Sequence, residues 1–322
     1  MMKKILLLLI LCVALSGMLG ACFGEEVREI VMAPDVIDRT ADPEAEAGFA
    51  FPEDAKLLEI WFPNVLNADE AILTYDGEAW LIDCGDERMG GRGAVLLEKL
   101  GITKIDKLIN THPHHDHLNG LKATDKAAKV AELLFCFDET NIRHAKSTKN
   151  FKNAIAYAEK NEIAVSSYEE GSVFSMGDGE VTLTCYANTE KSLDVNNRSA
   201  QILIRYGKRT ILFMGDMEKP GQAVMLERVD AEAFKADILK YPHHGKSAMD
   251  DAFFEAVDPE YAVITNKKEE NWKGIKYLKK QGIPYAYTTV YKNKIPLYLH
   301  LVTDGEHWVI ERVAQDETGT EK

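Results

Sequence analysis

The chain has 322 residues, of which 28% are charged, and its formal net charge at pH 7 is −14. An acidic chain with a pI near 5.2 lacks the basic stripe that a dedicated nucleic-acid binder needs, which excludes that class. Of the five cysteines, Cys12 and Cys22 lie near the N-terminus, and the other three are an odd number in well-separated apolar runs, which does not describe a disulfide framework.

The N-terminus has the pattern of a bacterial lipoprotein signal. Two lysines precede an apolar run from Ile5 to Leu19, which is shorter than the roughly 20 residues of a transmembrane helix. Small residues then lead to Cys22, as in a lipobox. We therefore expect residues 1–21 to be removed and Cys22 to be lipidated, so that the protein is anchored in the cell membrane and faces the extracytoplasmic side. Signal cleavage without lipidation is the alternative, and it would secrete the protein.

An acidic segment follows the leader. Residues 22–55 contain ten carboxylates and two arginines, include proline and show little apolar periodicity. Such a composition is typical of a flexible tether, which would lift a folded domain off the membrane. A short strand near Val27–Met32 is the alternative within it. We place the folded domain at residues 56–315 and a flexible tail at 316–322.

The rest of the chain alternates between strand and helix patterns, without an internal repeat. Strands are predicted at residues 57–62, 71–75, 80–82, 107–110, 181–185, 201–206, 210–214, 261–264 and 295–302. Helices are predicted at residues 93–100, 149–160, 219–228, 250–256 and 272–281. About 260 residues can bury a large core as one domain. The order of elements favours an α/β fold, an αββα sandwich of two mixed β-sheets flanked by helices.

The most informative stretch follows the predicted strand at 107–110. Residues 111–120 read Thr-His-Pro-His-His-Asp-His-Leu-Asn-Gly, which contains the pattern His-x-His-x-Asp-His. A loop leaving a strand can turn such closely spaced side chains toward one point, and imidazole with carboxylate donors suits a zinc-type ion. A merely histidine-rich polar loop is the alternative. It is disfavoured because six of the nine histidines fall in two clusters.

Two later strand ends carry further candidate ligands. Asp216 follows the predicted strand at 210–214, and His243 and His244 follow an apolar run at 236–240. Three loops at strand ends can assemble one ligand site on a layered α/β fold. The sequence therefore predicts a metal site built from three separate parts of the chain.

These blocks together resemble the metallo-β-lactamase fold superfamily, and within it the hydrolase domain of ComEC/Rec2-type competence proteins. The matching blocks, in chain order, are Phe62–Leu73, Leu81–Gly85, Thr111–Gly120, Asn196–Ser199, Met214–Asp216, Pro242–Gly245 and Thr303–Gly305. The resemblance covers nearly all of the chain after the acidic segment. It implies the αββα fold and metal-assisted hydrolysis.

The resemblance also implies a set of ligands for one or two divalent ions, zinc in the first place, with manganese or iron as alternatives. The set is His112, His114, Asp116, His117, Asp216 and His244. The first two belong to one metal and the next two to the other, while Asp216 bridges them. The family pattern places the last ligand directly before a small residue, which favours His244. His243 would then orient a ligand or a substrate oxygen.

Three more residues are expected near the site. The resemblance implies that Asp83 lies beneath it and hydrogen-bonds the histidine loop. Asn197 and Ser199 precede an apolar strand and could donate hydrogen bonds near the site. A turn that caps the strand is an equal alternative for these two residues.

The chain departs from the family pattern at one ligand. Many members carry another metal-ligating histidine between the first motif and the bridging aspartate, where this chain has only His144. The position of His144 at the start of a predicted helix favours a solvated side chain. Cys185 and Asn188 lie roughly where that ligand would fall, and Cys185 is expected to pack as a small apolar residue. The first metal would then keep open positions or bind weakly.

The predicted chemistry is metal-assisted hydrolysis by a monomer. A divalent ion lowers the pKa of bound water from 15.7 to about 7, so that a metal-bound hydroxide can attack, and Asp116 is the residue expected to orient that water and accept its proton. The expected substrate is a phosphodiester or related ester of a small molecule or of the cell surface. An extracellular nuclease, with DNA as substrate only, and a non-catalytic metal-stabilised binding lipoprotein are the alternatives. A true β-lactamase is disfavoured because the branch motifs differ.

Overall fold

Two β-sheets packed face to face form the centre of the computed structural model, which describes residues 34–89, 91–140 and 142–315. Over those residues the strands, in chain order, are β1 (Val36–Asp38), β2 (Leu58–Phe62), β3 (Glu70–Tyr75), β4 (Glu78–Cys84), β5 (Lys104–Ile105), β6 (Lys107–Asn110), β7 (Lys129–Val130), β8 (Glu132–Phe135), β9 (Ala164–Ser167), β10 (Ser172–Met176), β11 (Val181–Tyr186), β12 (Gln201–Tyr206), β13 (Arg209–Phe213), β14 (Ile238–Lys240), β15 (Tyr261–Ile264), β16 (Tyr285–Tyr287), β17 (Val290–Lys292), β18 (Ile295–Thr303) and β19 (Trp308–Ala314). The α-helices are α1 (Arg92–Lys99), α2 (His115–Leu118), α3 (Leu121–Ala127), α4 (Ala145–Lys160), α5 (Lys219–Arg228), α6 (Asp251–Val257) and α7 (Lys273–Gln281).

Both sheets are mixed. The first runs β1-β19-β18-β2-β3-β4-β6-β8-β9, with β17 paired to β18, and the second runs in chain order from β10 to β16. Pairing in the first sheet is antiparallel from β19 to β4 and parallel from β4 to β9. In the second sheet it is antiparallel from β10 to β13 and parallel from there to β16. The predicted αββα sandwich is confirmed.

Side-chain alternation along the central strands explains why the sheets are covered on both faces. On β4, Trp80 and Ile82 pack into the core between the sheets, while Leu81 packs against the helices outside. On β13, Ile211 faces the first sheet and Leu212 faces the outer helices. A strand with two apolar faces must be packed on both, here by the other sheet on one face and by helices on the other, as in a layered α/β arrangement.

The strand order also brings the predicted site together. β4 and β6 are parallel neighbours in the first sheet, and β13 and β14 are parallel neighbours in the second. Parallel neighbours end at the same edge of a sheet, and open α/β sheets bind ligands outside that edge. The histidine loop at 111–120 follows β6, Asp216 follows β13, and residues 243–244 follow β14.

The acidic segment differs from the prediction of a tether over residues 22–55. β1 pairs in parallel with β19, which buries Ile37. The Arg39 guanidinium donates to the carbonyls of Ala45, Glu46 and Phe49, so that one side chain organises the turn that follows. Residues 34–55 therefore belong to the compact unit that was predicted to start at residue 56.

Several predictions concern residues outside the described ones. These are the leader at 1–21, Cys22, the strand alternative at Val27–Met32 and the tail at 316–322. Within the part of the chain that the structure describes, no helix has both the length and the apolarity to cross a membrane.

His300 on β18 forms a buried ion triad away from the predicted site. Its Nε2 lies 2.8 Å from Glu59 Oε2 and its Nδ1 lies 3.0 Å from Glu311 Oε1, while its ring stacks on Trp61 at 3.5 Å. Burial lowers the pKa of His300, but the hydrogen bonds to Glu311 and Glu59 outweigh it and raise the pKa above its ordinary value. A raised pKa in the folded state means that the stabilisation is complete below the unfolded pKa and is lost as the pH rises through the folded pKa.

We expect His300→Gln to lower the free energy of unfolding by about 1–2 kcal/mol near pH 6, because two charge-assisted hydrogen bonds are lost and the partly exposed carboxylates are screened by water. At a second pH, high enough to deprotonate the folded-state imidazole, its charge is gone and the difference should shrink. Urea denaturation of both proteins at the two pH values measures it. Equal losses at both would contradict the charged triad.

Candidate metal centre

The predicted ligand residues lie in two groups that share one carboxylate. In the larger group, one donor atom from each residue lies within 4.8 Å of all the others; its members are Asp116, His117, Asp216 and His244. A smaller group meets the same limit and consists of His112, His114 and Asp216. The structure therefore brings together all six predicted ligands, divided as the resemblance implied.

Asp83 anchors the histidine loop from below. It is the last residue but one of β4 and has a left-handed backbone, with φ 55°. Its Oδ1 accepts hydrogen bonds from the Asn110 amide and the Thr111 N–H, both at 2.8 Å. Its Oδ2 accepts from Thr111 Oγ1 at 2.7 Å and lies 2.7 Å from His117 Nδ1. Because Nδ1 is engaged by the carboxylate, the other ring nitrogen of His117 faces the site.

Asp216 lies at the centre, with its two oxygens facing different histidines. His117 Nε2 is 3.2 Å and His244 Nε2 is 3.6 Å from Oδ1. His112 Nε2 lies 3.8 Å from Oδ2, and it is also 3.0 Å from Nδ1 of His114. One carboxylate thus stands between two sets of nitrogen donors, which is the arrangement expected of a bridging ligand.

Ser199 and Asn197 support the segment that carries Asp216. Ser199 Oγ accepts the Asp216 N–H at 3.1 Å, and the close approach requires Gly215, where a Cβ would lie 2.8 Å from the serine. Asn197 Oδ1 accepts the N–H groups of Glu218 and Gly221 at the start of α5. Both side chains are buried, so they position the segment that carries Asp216.

The two consecutive histidines after β14 point in different directions. Both have left-handed backbones, with φ 48° at His243 and 55° at His244. His244 Nδ1 lies 3.2 Å from Asp69 Oδ1 and from Thr265 Oγ1, which leaves Nε2 toward Asp216. His243 Nδ1 lies 2.8 Å from Glu218 Oε1. His244 belongs to the larger group, as the family pattern favoured.

A buried ion pair beneath the site was not predicted. Lys240 on β14 contacts the Asp69 carboxylate with its Nζ and also donates to the Gly215 carbonyl at 3.2 Å. Asp69 in turn holds His244 and donates its backbone N–H to the carbonyl of Asp116 at 3.0 Å. A lysine inside an otherwise apolar strand implies a buried partner, and that was the signal available in the sequence.

Burial and charge together set the protonation of the larger group. Burial lowers the pKa of His117, but the carboxylates of Asp216 and Asp83 outweigh it and hold the pKa well above its ordinary value. The same balance raises the pKa of His244 to about 9. Burial tends to raise the pKa of Asp216, but the charges of the two histidines hold it well below its usual range. The group therefore stabilises positive charge at its centre.

The donors fit a divalent metal ion. Three buried atoms of the larger group make no hydrogen bond of acceptable geometry, namely His117 Nε2, His244 Nε2 and Asp216 Oδ1. Buried polar atoms are rarely left without a partner, and unsatisfied ones call for an ion or a water. Imidazole nitrogens with carboxylate oxygens are the donor set of zinc and related ions.

The three residues considered for the missing histidine do not replace it. His144 is exposed, its ring lies 5.9 Å from that of His114, and its Nδ1 is 2.9 Å from Ser147 Oγ. Cys185 is fully buried in the core between the sheets, as predicted. Asn188 donates to the Asn197 carbonyl and accepts the Glu190 N–H, so its amide is already engaged.

We expect Asp83→Asn to weaken metal binding by about 10–100-fold, since the asparagine tolerates the left-handed backbone but cannot orient His117 as a carboxylate does. Calorimetric titration of the metal-free protein with Zn²⁺ measures it. Asp125→Asn is the matched control, because Asp125 is also buried but binds Val130 N–H and the Tyr157 hydroxyl. Equal weakening in both variants would mean that general destabilisation, not Asp83, is responsible.

Comparison with known proteins identifies a family. The family profile described as the beta-lactamase superfamily domain matches residues 79–257. The competence protein ComA of Neisseria gonorrhoeae is 22% identical over 263 residues, which are 81% of this chain and 33% of that protein.

Two solved structures match the chain at low identity. CmlA, a diiron beta-hydroxylase from Streptomyces venezuelae, is 13% identical with a TM-score of 0.42, over 74% of this chain and 53% of its own. The metallo-beta-lactamase fold protein YhfI from Bacillus subtilis is 11% identical with a TM-score of 0.43, over 72% of this chain and 96% of its own. The chain thus spans a third of the length of the competence protein and about half that of CmlA.

Proposed function

We propose that this chain, which belongs to the beta-lactamase superfamily, is a metal-dependent hydrolase of phosphodiester or related ester bonds. The observation that carries the proposal is the pair of ligand groups joined by Asp216, with the partly exposed carboxylate of Asp116 at their edge. A site that only binds metal for stability does not need an accessible carboxylate in the ligand set.

The exposure of the side chains in the larger group separates residues that would only hold a metal ion from the one that can also act on a substrate. The side chains of His117, Asp216 and His244 are almost completely buried, whereas that of Asp116 is 16% exposed. Asp116 is therefore the member of this group that can meet a water molecule and a substrate. Burial tends to raise the pKa of Asp116, but the contact with His244 at 3.5 Å and the charge of His117 hold it well below its usual range.

The expected chemistry follows from these roles. A divalent cation held by the two groups would make a bound water more acidic and would stabilise negative charge on an ester oxygen. Asp116, ionised at neutral pH, orients the water and accepts its proton. The buried side chains of His117, His244 and Asp216 would hold the cation. Asp83 keeps His117 in place, and Asp69 does the same for His244.

Two arginines near the ligand groups support an anionic ester as substrate. Arg198 lines a small pocket together with His112, Pro113 and Asn188, beside the smaller ligand group. Arg88 is 64% exposed and contacts Asp86, whose carboxylate lies 3.4 Å from Nε2 of His115. Guanidinium groups suit phosphate oxygens better than the neutral carbonyl of a carboxylic ester or lactam.

The test is hydrolysis of a chromogenic phosphodiester by the full chain, stripped of metal and then supplied with zinc, manganese or iron singly. We expect turnover that depends on the metal and disappears on chelation. Double-stranded DNA and a chromogenic lactam are assayed beside it. Preference for DNA would favour the nuclease alternative, which the net charge of −14 disfavours. Full activity without metal would refute the mechanism.

We further propose that the chain is a lipoprotein of the cell membrane, held through Cys22 and facing the extracytoplasmic side. The support is the sequence pattern alone, a short apolar run that ends in small residues before the cysteine. Cys22→Ala should release the protein from the membrane fraction. Retention of the variant at the membrane would mean that the leader itself is the anchor.

A further inference from the structure

The two ligand groups are unequal. The larger one combines two histidines and Asp116 with the shared carboxylate, while the smaller one has only His112 and His114 beside Asp216. The smaller group thus offers three protein donors where its neighbour offers four, and four is the usual number of ligands around zinc. A fourth protein donor would have to come from another part of the chain, and the structure offers one.

We propose that His243 supplies this donor and completes the smaller metal position; this inference rests on the proposed metal-dependent function. Its Nε2 lies 3.7 Å from Asp216 Oδ2, the same oxygen that His112 Nε2 approaches at 3.8 Å. The other oxygen of Asp216 faces His117 and His244. His243 is therefore on the side of the bridging carboxylate where a donor is lacking.

The backbone explains how adjacent histidines serve different metal positions. His243 and His244 both adopt the left-handed conformation, followed by Gly245 at φ 84°. The His243 N–H donates to the carbonyl of Gly215 at 3.1 Å, which fixes the loop directly beside the bridging aspartate. Left-handed backbone at two consecutive non-glycine residues is costly and persists where the surroundings impose it, often at functional sites.

A carboxylate orients His243 as it would a metal ligand. His243 Nδ1 lies 2.8 Å from Glu218 Oε1, and the same oxygen is contacted by Ser247 Oγ. A ligating histidine almost always gives its other ring N–H to a carboxylate, carbonyl or water, which fixes the tautomer and the ring. Asp83 does this for His117, and His244 Nδ1 is hydrogen-bonded to Thr265 Oγ1 and lies 3.2 Å from Asp69 Oδ1. His243 thus has the same kind of support as the two buried ligands.

His243 differs from those ligands in being less fixed. Its side chain is 15% exposed, and it is not among the donors that lie within 4.8 Å of one another in the smaller group. The imidazole therefore has to move inward when an ion binds, so the smaller position should be the weaker of the two. His144 is the rival candidate, but its Nδ1 lies 2.9 Å from Ser147 Oγ and it belongs to neither ligand group.

The test measures metal binding by the full chain without reference to activity. Metal-free wild type, His243→Ala and the matched control His144→Ala are titrated with Zn²⁺ by calorimetry, and the metal content is counted after dialysis. We expect wild type and His144→Ala to bind two ions. His243→Ala should keep one tight ion and bind the second more than about tenfold more weakly. Two ions bound by His243→Ala with wild-type affinity, or a single ion bound by wild type, would overturn the inference.

A second variant distinguishes the loss of a metal ligand from the loss of folding. His243→Cys places a thiolate at the same position, and with Co²⁺ it should show the near-ultraviolet charge-transfer band of a sulfur–cobalt bond. A folded variant without that band would also overturn the inference.

The turnover of His243→Ala separates the remaining outcomes. If this variant retains both ions but loses turnover, His243 contacts the substrate and not a metal ion, which would also overturn the inference. If wild type binds two ions through His243 but hydrolyses no ester, the proposed function fails while this inference stands.

Discussion

Replacement of Asp116 with asparagine should lower kcat by about 10²–10⁴-fold, the range that a lost general base produces. Asparagine has nearly the same shape and can still offer an oxygen to a metal ion, but it cannot accept a proton. The carboxylate of Asp116 is the exposed member of the larger ligand group, and its Oδ2 lies 3.5 Å from His244 Nε2 inside that group. We therefore expect the metal content of Asp116→Asn to stay close to that of wild type while turnover falls.

Asp86→Asn is the matched control for this experiment. Asp86 carries the same charge, and its Oδ2 lies 3.4 Å from Nε2 of His115, whose other ring nitrogen is 3.4 Å from Asp116. Asp86 belongs to neither ligand group, so its replacement should change kcat by no more than a few fold. If Asp116→Asn keeps its kcat within that same range, no proton passes through Asp116. A chain that binds an ester ligand equally well with and without this carboxylate would be a binding protein and not an enzyme.

The sequence predicted the parts of the site that lie at strand ends. The histidine loop, Asp216 and His244 each follow a strand whose apolar pattern is plain, and the parallel strand order then brings their ends to one edge. Asp83 was placed correctly beneath the loop only through the family resemblance, because nothing in its local pattern shows four hydrogen bonds.

Features that depend on long-range partners were not predictable in the same way. β9 is a largely exposed strand without alternation, and it exists because its backbone pairs with β8. β1 lies in an acidic segment and forms because β19 offers a free edge. The helix at 145–160 begins four residues earlier than predicted, since its first turn is polar and carries no capping signal. In each case tertiary contact outweighed local propensity.

Lys240 and Asp69 are the clearest instance, because neither residue is informative until the other is known. They are 171 positions apart, and both are buried. Burial tends to raise the pKa of Asp69, but the charges of Lys240, His244 and His117 hold it well below its usual range. Asp69 therefore remains an anion in the interior, where it orients His244 by the contact between its Oδ1 and Nδ1. The positive charge of Lys240 offsets the free-energy cost of burying the Asp69 carboxylate.

Lys240→Met should accordingly destabilise the protein by about 3–5 kcal/mol, the loss measured when one member of a buried ion pair is removed and the other stays charged. Denaturant unfolding of the metal-free protein measures it. The double variant Asp69→Asn with Lys240→Met should recover much of the loss, since no uncompensated charge remains and an asparagine amide can still bond His244. If the losses of the two single variants simply add in the double variant, Lys240 and Asp69 are not coupled. If the double variant recovers stability but binds zinc more weakly, Asp69 has two separate roles. It is the partner of Lys240 in folding, and it orients His244 in the site.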